Sequence, residues 1–317
     1  MESGDESPHS TVGNVNFQGQ LSGLHCAHRM SDWVKDTLDE LADESCWSYQ
    51  AGGVLAAEPA SLAALALAAH GRLAAAARAC ERLKHLQAAN GSVGITADQA
   101  TPCWPTGWAV LAWLAADRGR ADAAYRDNMQ LAIGSILALH GRTSENSGDM
   151  GHDARLDGWP WVDGTHPWCE PTAINLLALK ASGHGDHPRA REAVAMLIDR
   201  LLPDGGCNYG NTSVLGQVLR PHVEPTGLVL TALAGEADPS GRIERSLNYL
   251  KQAVCVTAGG VSLAYGLFGL TAHGRRPADA VGWLAAPARQ TQTYRSSPLR
   301  KALLALAAAE PCPLITA

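Results

Sequence analysis

Three glutamates recur along this chain, each directly before a proline and at the start of a predicted helix: Glu58, Glu170 and Glu224. Carboxylates grouped around an apolar cavity have raised and mutually coupled pKa values, which is the usual condition for a proton donor. A glutamate at a helix N-terminus also complements the helix dipole, and that structural role is sufficient for Glu58. Glu170 and Glu224 lie beside histidine and aromatic residues, so we expect these two to be catalytic.

Residues 149–168 contain three tryptophans, four aspartates and two histidines. A loop of this density on a rigid scaffold is a typical place for a functional site. Glu170 follows directly and is the predicted proton donor. We expect Asp163 and His166 to polarise it. Trp161 and Trp168 are expected to shelter a carbocation with their indole faces.

Further candidates flank the neighbouring loops. His222 lies two residues before Glu224 and is a second candidate for acid–base chemistry. Aromatic residues near the loops are candidates for substrate binding, and one of them, Trp159, is also interpreted as a packing residue between helices. These candidates are Trp104, Trp159, Tyr209 and Tyr49.

Other clusters favour structural roles. The spaced aspartates Asp149, Asp153 and Asp157 are suited to a metal site, but an exposed charge run is the preferred interpretation. Asp204 and Cys207 are a candidate ligand pair, although a tight glycine-dependent turn with a buried cysteine explains the same sequence. Three cysteines in helical or terminal contexts are interpreted as packing residues: Cys80, Cys255 and Cys312.

The glutamate motif belongs to an internal repeat, in which a proline begins a helix that is apolar on nearly all sides. Amphipathic segments with charged faces lie between these helices, at residues 72–87, 121–139, 188–201 and 242–253. The apolar inner helices are predicted to begin near residues 58, 104, 170, 224, 261 and 297. An open solenoid needs polar caps, whereas six hairpins can close on themselves. We therefore predict an all-α fold, an (α/α)6 toroid whose glutamates ring one mouth of a central cavity.

Composition narrows the function class. The 317 residues carry a net charge of −6 and no Lys/Arg-rich run, which argues against a nucleic-acid partner. Neither a membrane span nor a secretory signal is visible, and the eight cysteines form no CxxC pair, so we expect reduced thiols in the cytoplasm. Residues 1–20 are predicted to be a disordered leader, and residues 21–317 a single domain.

Two loop segments carry a resemblance to a known family. Residues 87–93, Gln-Ala-Ala-Asn-Gly-Ser-Val, resemble the Q-x3-G-x-W repeat of squalene–hopene cyclases, with Val in place of Trp. Residues 203–209 look like a second, degenerate copy. Together with the Pro-Thr helices, these segments resemble the prenyltransferase/squalene-oxidase repeat superfamily over roughly residues 40–310. The resemblance implies the toroid, and within that superfamily it implies either a class II terpene cyclase or a prenyltransferase.

The cyclase resemblance implies a mechanism. These enzymes protonate an alkene with an Asp-x-Asp-Asp motif that runs into an inner helix. Trp168-Cys169-Glu170-Pro171 occupies that context, and only the middle acid is retained, as Glu170. The implied function is acid-initiated cyclisation of a small apolar isoprenoid-type substrate without a cofactor.

Three alternatives remain open. Residues 162–165, Val-Asp-Gly-Thr, are similar to a prenyltransferase zinc motif, which implies Zn²⁺-dependent prenyl transfer. The ligands would come from Asp163, Cys169, His166, Cys207 and His222. A glycan-active toroid would use paired carboxylates such as Asp163 and Glu170. A non-catalytic ligand-binding or scaffold toroid is the third alternative, and the sequence leaves the oligomeric state open.

Overall fold

The computed structural model describes residues 31–118, 120, 122–146, 150–257, 259–293 and 297–316. The predicted leader at residues 1–20 and Asp149 lie outside the described residues. The described residues are predominantly helical, which confirms the all-α prediction. A short antiparallel hairpin pairs β1 (Ser213–Val214) with β2 (Gln217–Val218).

The described residues form twelve helices. In chain order these are α1 (Asp32–Asp43), α2 (Ala57–Ala69), α3 (Leu73–Lys84), α4 (Thr106–Asp117), α5 (Arg126–Ala138), α6 (Cys169–Ala181), α7 (Pro188–Arg200), α8 (Val223–Ala232), α9 (Arg242–Val254), α10 (Gly260–Ala272), α11 (Ala280–Thr293) and α12 (Pro298–Ala308). The even-numbered helices are rich in Ala, Leu and Gly and are buried along most of their length. They form the core, while α1, α3, α7 and α9 each bury a single apolar face against it.

The even-numbered helices contact one another in a closed order. Each packs against the next from α2 to α12, and α12 packs in turn against α2. Two polar contacts join the ends of this series. Ser297 Oγ donates to the carbonyl of Tyr49 at 2.7 Å, and the His70 ring lies 2.9 Å from the Ala305 carbonyl. The last apolar helix is therefore fastened to the first.

The threonine of the Pro-Thr motif forms the same hydrogen bond in several copies of the repeat. In three copies its Oγ1 accepts a hydrogen bond at 2.9 Å from the backbone N–H of a buried residue at the start of the preceding loop. The donor–acceptor pairs are Val93–Thr106, Trp159–Thr172 and Cys207–Thr226. Because a buried N–H without a partner costs free energy, this bond fixes where each loop meets its helix.

Two loop glycines explain the Q-x3-G pattern. Gly91 and Gly205 have φ values of +88° and +102°, which favour glycine. A Cβ atom would lie 2.1 Å from the Leu131 carbonyl oxygen at Gly91 and 2.4 Å from the Arg245 carbonyl oxygen at Gly205. Each loop therefore contacts the backbone of the following amphipathic helix, which no larger residue allows.

The two ends of the apolar helices differ. After α12 the chain continues along the C-terminal ends of α2 and α4, where Cys312 and Leu314 are buried. The glutamate motifs lie at the opposite, N-terminal ends. Among the described residues, no helix is long and apolar enough to span a membrane.

Candidate active site

Glu58, Glu170 and Glu224 lie in the first turns of α2, α6 and α8. Burial raises the pKa of Glu170 to about 7, and repulsion from Glu224 and Glu58 adds to the shift. Burial also raises the pKa of Glu58 to about 7, where Glu224 adds repulsion and an interaction with Tyr49 acts in the opposite direction. Three carboxyl groups that are distant in sequence therefore share one electrostatic environment.

Glu224 interacts with two polar side chains, Ser262 and His222. Burial raises its pKa, while a hydrogen bond from Ser262 and the nearby His222 oppose the increase. The Ser262 Oγ to Glu224 Oε2 distance is 3.5 Å. Ser262 lies in α10, so this contact ties the site to the fifth apolar helix.

Tyr265 is close to all three glutamates. It lies in α10 and is 6 % exposed. Its pKa is well above the ordinary tyrosine value, first because it is buried and then because of Glu58, Glu170 and Glu224. We call the group of Glu58, Glu170, Glu224 and Tyr265 the acidic rim. A neutral phenol among carboxyl groups remains a hydrogen-bond donor at any physiological pH.

Aromatic rings border the acidic rim. Tyr49 and Tyr209 are partly exposed, and acidic-rim carboxylates help to raise the pKa of both. The rings of Tyr209 and His222 lie 5.3 Å apart, and His222 is exposed. The rim thus combines carboxyl groups with ring surfaces that a ligand can reach.

The tryptophans divide into two groups. Trp104 and Trp161 are partly exposed and pack edge to face with centroids 4.9 Å apart. Trp159 is fully buried, donates from Nε1 to the Ile136 carbonyl at 2.8 Å and lies under the Arg189 guanidinium. Trp159 therefore packs helices together, and its burial removes it from the substrate-binding candidates.

The structure does not bring Asp163 or His166 to Glu170. Asp163 is exposed and contributes to the electrostatics of Cys103, whereas His166 stacks on Trp168 with centroids 4.4 Å apart. The interactions that shift the pKa of Glu170 come from burial, Glu224 and Glu58. The loop makes a tight turn at Val162–Thr165, where Thr165 N donates to the Val162 carbonyl at 3.1 Å.

The proposed zinc ligands are dispersed. Cys169 and Cys207 are buried next to each other, and burial together with Cys169 raises the pKa of the Cys207 thiol well above its usual value. In the part of the chain that the structure describes, no three His, Cys, Asp or Glu side chains are placed to hold one metal ion. Asp204 is exposed at the turn before Cys207, so the two side chains do not form a pair.

Two interpretations of the sequence are wrong, because one side chain expected to be exposed is buried and one expected to be buried is exposed. Asp157 is 8 % exposed and pairs with Arg189 at 2.7 Å, so it is not part of an exposed charge run. Asp153 pairs with Arg155 at 2.8 Å on the surface. Cys255 is exposed rather than packed, whereas Cys80 and Cys312 are buried as expected. The seven described cysteines are free thiols.

Sequence reasoning missed Tyr265 and the Arg189–Asp157 pair. Tyr265 lies in the fifth repeat copy, whose motif is the weakest, and its neighbours in sequence carry no acid. The toroid prediction includes a fifth inner helix but assigns no site role to any of its residues. Nothing in the sequence near Asp157 identifies its partner, which is 32 residues away.

Cavities open beside the acidic rim. One of about 280 Å³ is lined by Tyr209, His222, Glu224, Tyr249 and Ser262 among others. A second, of about 440 Å³, shares Ser262 and continues towards α11 and α12. A small molecule that enters either cavity meets Ser262, the hydrogen-bond donor to Glu224.

Comparison with models of known protein families gave no match for this chain, and comparison with curated proteins gave none.

Proposed function

We propose that the protein is an acid–base enzyme, a terpene cyclase-like catalyst that binds an apolar isoprenoid-type substrate at the acidic rim. The observation that carries the proposal is the grouping of Glu58, Glu170 and Glu224 around the buried Tyr265, with the pKa values of Glu58 and Glu170 raised to about 7. Such carboxyl groups are partly protonated near neutral pH and can both donate and accept a proton.

The proposed scaffold is the (α/α)6 toroid. The closed order of contacts among the six apolar helices supports it, because a ring of parallel helices places all of their N-termini at one mouth. In that arrangement Glu58, Glu170 and Glu224 face a common space although up to 166 residues separate them (224 − 58).

In the proposed reaction, protonated Glu170 donates its proton to one carbon of a substrate double bond. The π electrons form the new C–H bond, and the resulting cation is attacked by a second double bond to close a ring. The ionised carboxylate of Glu224 and the ring faces of Trp161 and Tyr209 stabilise the positive charge. Loss of a proton to a basic carboxylate of the rim ends the sequence, so the net reaction is an isomerisation.

Deuterium labelling tests the proposal. The purified protein is incubated in D₂O with linear isoprenoids of 10 to 30 carbons, and the products are analysed by mass spectrometry. We expect cyclic products that carry one solvent deuterium per initiating protonation.

Glu170→Gln should lower turnover by about 10²–10⁴-fold, the usual contribution of a general acid. Glu145→Gln, which changes an exposed glutamate away from the rim, is the matched control. Unchanged turnover in Glu170→Gln would exclude Glu170 as the donor.

Glycan cleavage is the second candidate function. The polar lining of the cavity of about 280 Å³ beside the acidic rim favours it. Tyr209, His222 and Ser262 line the cavity beside Glu224 with groups that hydrogen-bond to sugars. A carboxyl group with a pKa near 7 beside an ionised carboxylate matches the acid and base of a glycosidase. Release of reducing ends from an oligosaccharide panel, with no turnover of isoprenoids, would select this candidate.

A further inference from the structure

A third cavity is lined in part by Gly210 and His166, which both contact Trp168. It measures about 400 Å³ and lies between residues 142–146 and 150–167, the end of α7 and the β1–β2 hairpin. Four basic side chains line it: Arg142, His152, His166 and Arg200. We call this the basic cavity. It has no part in the proposed acid chemistry, and the residues of the acidic rim do not line it.

Arg200 is the most constrained of the four. It is 3 % exposed, and its Nη1 donates to Asp199 Oδ2 and to the Asp153 carbonyl. Its Nε is buried and has no hydrogen-bond partner among the described residues. A buried guanidinium normally uses its donors fully, because each unmet donor costs free energy. One donor of the Arg200 guanidinium, its Nε, is therefore left without a partner among the described residues.

Arg142 and Arg200 both contribute positive charge to the basic cavity. Burial lowers the pKa of His166, and the charges of Arg142 and Arg200 lower it further. Burial and Arg200 also lower the pKa of His152, with Asp199 and Asp153 acting in the opposite direction. Burial first, and then the neighbouring cations, thus disfavour ionisation of both imidazoles.

The walls of the cavity are fixed by backbone contacts. Gly151 N donates to Ser213 Oγ at 2.9 Å, which fastens the loop to the hairpin. A Cβ atom at Gly151 would lie 2.7 Å from Thr212 Oγ1, so the two segments are in close contact. Met150, Val214 and Leu215 add apolar surface opposite the basic groups.

We propose that the basic cavity is a binding site for a phosphate-class oxyanion, held by Arg142 and Arg200 with His152 and His166 as additional donors. A tetrahedral dianion accepts several hydrogen bonds at once and matches the planar donor array of arginine. Asp199 already pairs with Arg200, and the anion adds negative charge that also faces Arg142 and the two histidines, so binding raises the affinity of both histidines for protons. By linkage, binding strengthens as pH falls, by up to tenfold per pH unit for each proton taken up.

Isothermal titration calorimetry tests the site with three probes. Sulfate does not titrate between pH 5.5 and 8, so any pH dependence of its binding comes from the protein. Inorganic phosphate and phenyl phosphate distinguish a free oxyanion from an organic phosphate, because only the second can contact Met150, Val214 and Leu215. We expect saturable 1:1 binding that tightens towards pH 5.5, with proton uptake measured from the heats in two buffers of different ionisation enthalpy.

Variants assign the binding to the basic cavity. Arg142→Gln should weaken sulfate binding about tenfold, the loss expected for one charge-assisted contact. His166→Gln should reduce the pH dependence while leaving most of the affinity at pH 8. Arg220→Gln, an exposed arginine that does not line the cavity, is the matched control and should bind as the unmodified protein does. Circular dichroism verifies that each variant is folded. Lack of saturable binding of all three probes, or equal losses in Arg142→Gln and Arg220→Gln, would overturn the assignment.

Discussion

The acidic rim and the basic cavity show the same physics with opposite sign. At the rim, burial and neighbouring carboxylates raise the pKa values of Glu58 and Glu170. In the cavity, burial and neighbouring arginines lower the pKa values of His152 and His166. Both regions hold like charges together on a rigid helical scaffold, so each is stabilised by whatever removes its excess charge. For the rim that is a proton or a cationic intermediate, and for the cavity it is an anion.

The Arg189–Asp157 pair differs from the basic cavity in that its carboxylate is buried together with the guanidinium. Asp157 accepts from Arg189 and from Gly141 N, and the His140 ring lies 2.6 Å away. Asp157→Leu should therefore destabilise the fold by about 3–5 kcal/mol, since it leaves the buried Arg189 guanidinium with only the more distant Glu192, at 3.7 Å, as a carboxylate neighbour. Urea denaturation measures the loss. Asp163→Leu, at an exposed aspartate of the same loop, should cost under about 0.5 kcal/mol. Similar costs for both variants would show that the pair does not compensate a buried charge.

Glu170→Gln should have the opposite effect on stability. The pKa of Glu170 is about 7 in the fold, above the ordinary 4.5, so the folded state binds this proton more tightly. Its contribution is fully present below pH 4.5 and is lost as pH rises to about 7. Glutamine mimics the protonated acid at every pH. Because the site is partly open to solvent, we expect the variant to gain about 1–2 kcal/mol at pH 8 and nothing at pH 4.5.

Denaturation at the two pH values gives the result for Glu170→Gln, and Glu145→Gln serves again as the control. A gain in the free energy of unfolding together with a loss of turnover would show that the buried Glu170 carboxyl group destabilises the fold but is needed for catalysis. An equal change at pH 4.5 and pH 8 would mean that ionisation of Glu170 is not the cause.

The structure also shows how far the sequence could predict these regions. Periodicity and the proline motif predicted buried helices, because a helix such as α2 is apolar on every side and cannot be stable at a surface. The grouping of Glu58, Glu170 and Glu224 followed from their equivalent positions in a repeat. Arg200 was not predicted, since a basic residue in the last turn of an amphipathic helix is ordinary and its burial depends on Asp199 and the distant loop.

Asp163 and His166 illustrate the same limit on a smaller scale. Both are within seven residues of Glu170, which suggested contact with it. Their loop turns at Gly164, where φ is +75°, and neither side chain is among the causes of the pKa shift of Glu170. Proximity in sequence is a poor guide inside a loop, because each turn redirects the following side chains, whereas helix positions keep their direction from one repeat to the next.

Glu224→Gln tests the coupling within the rim. Repulsion from Glu224 contributes to the raised pKa values of both Glu58 and Glu170, after burial. Removing that charge should lower both pKa values only in part, since burial is the larger cause and remains. Carbon-13 NMR of the glutamate carboxyl groups follows the titrations. A shift of one glutamate without the other would show that the rim is not a single electrostatic group.

Arg142→Gln is the corresponding change in the basic cavity, and its effect should be the smallest. Arg142 is exposed, so solvent and salt screen its action on His166. Loss of its charge should raise the pKa of His166 slightly, since burial remains, and the pKa of His152 should respond less because Arg200 and His166, rather than Arg142, contribute to its shift. Proton NMR of the histidine rings at low salt resolves the change.

The pKa shifts in Glu224→Gln and Arg142→Gln should have opposite signs, because a carboxylate opposes ionisation of its carboxyl neighbours and a guanidinium opposes ionisation of an imidazole. A downward shift of His166 would mean that Arg142 acts through the loop conformation rather than through its charge.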